Sequence, residues 1–248
     1  MRFLPIPISR QMPPLTHYTS SLHALQGICT YGFAWVQNSR RLSETLLGHR
    51  DSWRREPQQF GMVSFTELAP CETANHLRRF GQFGIVVSEQ WAVKHNAQRV
   101  FYVPETGPQV EALRLLFSAG LQELEQKLPT AERQWPMPFE NRAVAATIAG
   151  ASLWRTLLTL WEYFEPEESA AQREWRVVNP EPDYSVFGTK AETIAAVSPP
   201  MNWEKHTRVV PIQPREVVAF VCPQSLVEST RIALPPPFQA VRFEPTDG

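Results

Sequence analysis

The stretch from Pro13 to Gly32, PPLTHYTSSLHALQGICTYG, holds the rest of the chain to a narrow set of folds, because it contains a strand, a helix start and a helix stop in immediate succession. Leu15 to Thr19 follows two prolines and is β-prone. Ser20 and Ser21 are good N-caps for a helix whose apolar residues Leu22, Leu25 and Ile28 recur at i, i+3 and i+6, and Gly32 closes that helix. The unit presents His17 near a helix N-terminus, where unpaired backbone N–H groups favour an anion such as a pyrophosphate. The same residues also allow His17 simply to pack within its strand.

A chain of 248 residues with a 43% hydrophobic share can bury a real core, and a single compact domain over residues 1–248 is expected. With 24 basic and 25 acidic residues there is no global field to draw in nucleic acid, so such a partner would need a local basic patch. The cysteines, Cys29, Cys71 and Cys222, are isolated and odd in number, which fits reduced thiols in a cytoplasmic protein and suggests no zinc site. The start, MRFLPIPIS, is a poor signal peptide, and no apolar run approaches the roughly 20 residues of a membrane span. A soluble protein without a membrane partner is expected. The prolines gather in connections flanked by apolar residues rather than in disordered tails.

Taken in order, Phe33 to Val36 predicts a strand and Arg40 to Arg55 a charged helical surface segment. Gly61 to Leu68 (GMVSFTEL) alternates as a strand does, with Met62, Ser64 and Thr66 on one face, small and polar enough for a cleft, and Val63 and Phe65 on the other. Pro70 to Phe80 predicts a short helix, Gly81 to Val87 a strand, Ser88 the cap of SEQWAVKH, and Val100 to Val103 another strand. Gln109 to Leu128 and Asn141 to Phe164 read as two long core helices without chemistry, packed on each other. Glu165 to Ala171 is an acidic loop or turn, Arg173 to Val178 a strand, and Glu192 to Val197 a helical turn. Thr207 to Ile212 and Val217 to Val221 predict strands, Gln224 to Ile232 a helix, and Gln239 to Phe243 a final strand.

Three polar sites on separate strands stand out: His17, the Ser64 and Thr66 pair, and the Gln172 and Glu174 pair. Alternation would point Gln172 and Glu174 the same way about 7 Å apart, one for a ribose hydroxyl and one for an incoming acceptor. It equally allows an exposed strand face carrying a Glu174 to Arg176 ion pair. His23, His49, His76, His95 and His206 read as surface or structural residues.

Three features, HYTSSLHALQGICTYG, then SFTE followed by HLRRFGQFGIVVSEQW and VFYV, then the late QREWRV, resemble ADP-ribosyltransferase-like folds. More narrowly they are similar to the AbiGi-like abortive-infection proteins of bacterial phage defence, with an opening like that of DarT-type transferases. The resemblance spans most of residues 14 to 222. It implies an α+β fold with a split β-sheet core, flanking helices and a two-helix insertion over about 107–164. It also implies NAD as substrate. His17, with Tyr18 and Thr19 beside it, would bind the nucleotide, Ser64 and Thr66 would brace it, Glu174 would bond the nicotinamide ribose, and Gln172 would match the QxE variant of some transferases. Tyr18 and Tyr31 compete as the residue stacking on nicotinamide. The activity implied is mono-ADP-ribosyl transfer by an intracellular toxin or defence effector, to an RNA or DNA base or a protein amide. A cognate antitoxin would then be a partner. Some AbiGi-like proteins are themselves labelled antitoxins, which implies the alternative of a catalytically silent, partner-binding member of the fold; NAD hydrolysis would use the same residues.

Cleaving the nicotinamide glycosidic bond creates an oxocarbenium-like cation, and a carboxylate bonded to the 2′-hydroxyl stabilises it more in the transition state than in the ground state. No metal or protein nucleophile is needed. If the strand order is that of the transferase fold, His17, Ser64 and Glu174 are expected to line one cleft where two small sheets meet.

Overall fold

The computed structural model describes residues 12–35, 61–69, 72, 74–104, 106–127, 160, 162–178 and 209–246. Strand β1 is Leu15–Thr19, and Ser21 then caps helix α1, Leu22–Tyr31, by accepting the Ala24 N–H at 3.1 Å. Gly32 ends α1 as expected. Its φ of 104° lies in the left-handed region, its N–H donates to Ile28 O at 2.8 Å, and a Cβ there would stand 2.5 Å from Val210 O. The chain continues through β2 (Phe33–Ala34), β3 (Met62–Thr66), α2 (Ala74–Phe80), β4 (Phe83–Val87), α3 (Glu89–Lys94), β5 (Gln98–Arg99), β6 (Phe101–Val103) and α4 (Pro108–Lys127). It then forms β7 (Phe164–Pro166), a 3-10 turn at Glu167–Gln172, β8 (Glu174–Val178), β9 (Val209–Val210), β10 (Val217–Pro223), α5 (Val227–Ala233), α6 (Pro236–Gln239) and β11 (Phe243–Thr246).

The fold is α+β. Seven strands form one sheet in the order β11-β10-β4-β1-β3-β8-β5, antiparallel throughout except for the parallel pair β10–β11. Two small ladders accompany it, β2 with β9 and β6 with β7. One feature of the large sheet positions the site. β1 pairs with β4 from Leu15–Val87 to Thr19–Phe83, and β3 pairs with β8 from Met62–Val178 to Thr66–Glu174. Between β1 and β3 the ladder is reduced to the pair Thr16–Thr66.

The two faces of the sheet are covered by different elements. Leu25 and Ile28 of α1, Phe33, and Trp91 of α3 join Leu15, Val63, Phe65, Ile85, Val87, Val177 and Phe220 in the larger core. On the opposite face Tyr18, Val86, Ala219 and Val221 meet Leu77 and Phe80 of α2. In α4, Val110 and Phe117 are buried whereas Leu115 and Leu116 are exposed.

Several boundaries differ from the sequence expectation. Phe164 belongs to a strand rather than a helix end, since Phe101 draws it into the β6–β7 ladder, and that strand also takes Glu165 and Pro166 from the acidic stretch, whose remainder forms the 3-10 turn. Leu160 is helical, whereas Glu162 and Tyr163 lie in a turn; residues 141–159 and 161 of the expected second helix lie outside the described residues, as do segments 40–55 and 192–197. The last strand starts at Phe243, because Pro236 at a helix N-terminus, where no N–H is needed, opens α6 instead. β5 was not foreseen; two residues are too short for a periodic signal.

Candidate functional site

Cross-strand register decides which side chains share a face, since directly paired residues of antiparallel strands point the same way. Thr16 pairs with Thr66, Thr66 with Glu174, and Ser64 with Arg176. These residues, with Tyr18 by alternation along β1, form a polar row on the α2 face. His17 and Thr19 have the other parity. The His17 ring packs edge-on against Phe33 and Phe65, with centroids 5.2 and 5.7 Å away, on the larger core's side. The expected single cleft containing His17, Ser64 and Glu174 is therefore not formed. Adjacent residues of one strand cannot both face it, and the register gives the place to Thr16 and Tyr18.

His17 Nδ1 lies 2.8 Å from the Ser64 carbonyl oxygen and donates to it. This fixes the neutral tautomer, leaving the lone pair on Nε2. Burial lowers the His17 pKa and outweighs the Ser64 carbonyl, which acts in the opposite direction. The side chain thus takes a position in the β1–β3 junction that backbone pairing would otherwise fill.

Gln172 also departs from expectation. It ends the 3-10 turn, and Arg173 follows with φ 44°, so strand alternation starts only at Glu174. The Gln172 carbonyl accepts from Thr66 Oγ1 at 2.7 Å, and the same hydroxyl accepts the Leu68 N–H at 3.1 Å. Thr66 is buried and joins the turn before β8 to the end of β3. Of the two candidate tyrosines, Tyr18 is buried, shares the Glu174 face and lies over Gly84, while Tyr31 is exposed at the end of α1.

Glu174 is not a solitary carboxylate. Arg176, two residues on and 1% exposed, donates from Nε to Glu174 Oε1 at 2.6 Å and from Nη2 to Oε2 at 2.9 Å. It also donates from Nη2 to Glu165 and from Nη1 to the Glu162 carbonyl. Burial opposes the Arg176 charge, and Glu174 and Glu165 more than offset it, raising its pKa. Tyr102 Oη accepts the Glu174 N–H at 2.7 Å, and burial with the nearby carboxylates raises its pKa against the pull of that bond and of Arg176. The ion pair allowed by the REWR spacing is formed, but buried rather than exposed. Tyr102 and Glu165 could not be found from sequence, because only the β6–β7 register, Tyr102 opposite Glu165, brings them to β8.

On the other face Glu67 accepts from Trp175 Nε1 at 2.8 Å and from Arg99 at 2.7 Å, tying the edge strand β5 to β8. Cys29 and Cys222 are buried free thiols, the Cys29 pKa being pushed up to about 12 by burial; Cys71 lies outside the described residues. His95 caps α3, and its ring packs at a tilt against Trp91, the centroids 4.7 Å apart. Among the described residues no cluster of His, Cys, Asp and Glu is placed to hold a metal ion, and no described helix is long and apolar enough to cross a membrane. No known protein family, no curated protein and no solved structure matches the chain.

Proposed function

We propose that the chain is an NAD-dependent mono-ADP-ribosyltransferase of the ADP-ribosyltransferase-like fold, acting as a toxin or phage-defence effector. What supports this is the polar row on one face, Tyr18, Ser64, Thr66 and Glu174, lying along the place where the β1–β3 ladder shrinks to one pair. His17 serves as a brace for the junction and not as a nucleotide ligand. Glu174 accepts a hydrogen bond from the 2′-hydroxyl of the nicotinamide ribose. Engagement with Arg176 leaves room for this, since an ionised carboxylate has about four acceptor positions. The N-glycosidic bond breaks with its electron pair going to the nicotinamide nitrogen. An acceptor nitrogen on a nucleobase or protein amide attacks the ribosyl cation and gives its proton to solvent.

The test is nicotinamide release from NAD by the purified chain, alone and with RNA, DNA or bacterial protein as acceptor. Glu174→Gln keeps the size of the side chain and removes its charge, so turnover should fall by about 10² or more while NAD binding changes little. Equal turnover in the variant, or no release by the unsubstituted protein with any acceptor, overturns the proposal.

A second reading is a catalytically silent member of the fold that binds a protein partner, as an antitoxin would. Two observations favour it: both Glu174 oxygens hold Arg176, and His17 faces the opposite side of the sheet. Under that reading Glu174→Gln alters stability alone, and no nicotinamide appears.

A further inference from the structure

We infer that Glu165 is a positioning residue of the transferase site, restoring through Arg176 the negative charge that Arg176 takes from Glu174. This rests on the transferase proposal. A carboxylate stabilises a ribosyl cation through its field, and a guanidinium bonded to both of its oxygens cancels much of that field at the distance of a ribose. Taken alone, the Glu174–Arg176 pair is close to neutral and a poor partner for a cation. It is not alone. Arg176 Nη2 is shared between Glu174 and Glu165, and the side chains of Arg176, Glu165 and Glu174 are 1%, 13% and 11% exposed, so solvent screens none of them fully.

With both carboxylates ionised, the group carries one more negative than positive charge. Arg176 then fixes the direction of the Glu174 carboxylate without silencing it. Glu165 reaches this position through the parallel pairing of β7 with β6, in which it lies opposite Tyr102, and Tyr102 accepts the Glu174 N–H. The β6–β7 ladder and the strand carrying Glu174 are therefore mechanically joined. The arrangement differs from a structural salt bridge in one respect that can be measured. A bridge that serves stability alone needs one carboxylate for its one guanidinium, whereas a charge-restoring group is felt in the rate of bond cleavage.

The experiment measures kcat and KM for nicotinamide release by the full chain and by Glu165→Gln and Glu165→Asp, with thermal melting as a control for folding. The expected result is a fall in kcat of about tenfold or more for Glu165→Gln, with KM for NAD within about twofold, because the effect lies on the cation and not on ground-state binding. Glu165→Asp keeps the charge but draws it back by one methylene, and should retain a kcat between the two. If Glu165→Gln does not fold, Glu165→Asp decides: kcat equal to the unsubstituted protein overturns the inference. A folded Glu165→Gln with unchanged kcat overturns it as well, and leaves the transferase proposal standing. No nicotinamide release by the unsubstituted chain removes that proposal and this inference together.

Discussion

A histidine that donates Nδ1–H to a main-chain carbonyl while its ring packs edge-on against two phenylalanines is held neutral, and this gives His17 a pH signature. Its folded pKa is below the ordinary value of 6.5, so the unfolded chain binds the proton more readily. The stability it contributes is complete above pH 6.5 and is lost as the pH falls from there through the lower folded value. His17→Gln retains an N–H donor for Ser64 and cannot titrate in that range. Urea unfolding of the variant should show a smaller loss of stability between pH 7 and pH 5 than the parent. Equal losses would mean that the ring is not desolvated. The residual slope belongs in part to His95, whose pKa burial also lowers, with the Lys94 charge adding to it against Glu216. The chemistry of these residues was only partly legible in the sequence. That Glu174 and Arg176 share a face follows from period-two spacing, and that Met62, Ser64 and Thr66 do so follows as well. The face taken by His17 does not, because alternation within β1 says nothing about its phase relative to β3; that phase is set by the Thr16–Thr66 pair.

Elements bounded by local chemistry were the ones the sequence specified well. Ser21 and Gly32 bracket α1, Ser88 caps α3 by accepting the Trp91 N–H at 3.2 Å, and α4 covers the expected apolar repeat as far as Lys127. Elements that exist through partners were missed or misplaced. β5 and β7 are short and gain their hydrogen bonds from β8 and β6, and the left-handed Arg173 puts the start of β8 at Glu174 and leaves Gln172 outside its alternation. Gly32 is the boundary with the sharpest consequence. Alanine there would combine a positive φ with a contact 2.5 Å from Val210 O, against the β2–β9 ladder that follows. Gly32→Ala should destabilise by about 1–3 kcal/mol, read from denaturant midpoints. Ser21→Ala, which loses only the Ala24 hydrogen bond, should cost about 1 kcal/mol. A Gly32→Ala cost under ~0.5 kcal/mol would show that β9 can move away from α1.

At the scale of the whole molecule, the narrow β1–β3 junction divides the sheet into two halves, β11-β10-β4-β1 and β3-β8-β5. Amide hydrogen exchange should reveal this as two protection classes, the β4–β10 amides exchanging more slowly than those of β3 and β8. Uniform protection across the sheet would show that the junction is as strong as the ladders beside it. The strand order has one more consequence. β4 is made early in synthesis and holds β1 on one side, but its other neighbour, β10, follows 130 residues later, Val217 against Val87. Until β10 emerges, Phe83–Val87, buried at every position in the finished fold, offers a bare apolar edge to any other nascent chain. Yield on refolding from denaturant should therefore fall as protein concentration rises, and a holdase that shelters that edge should recover it.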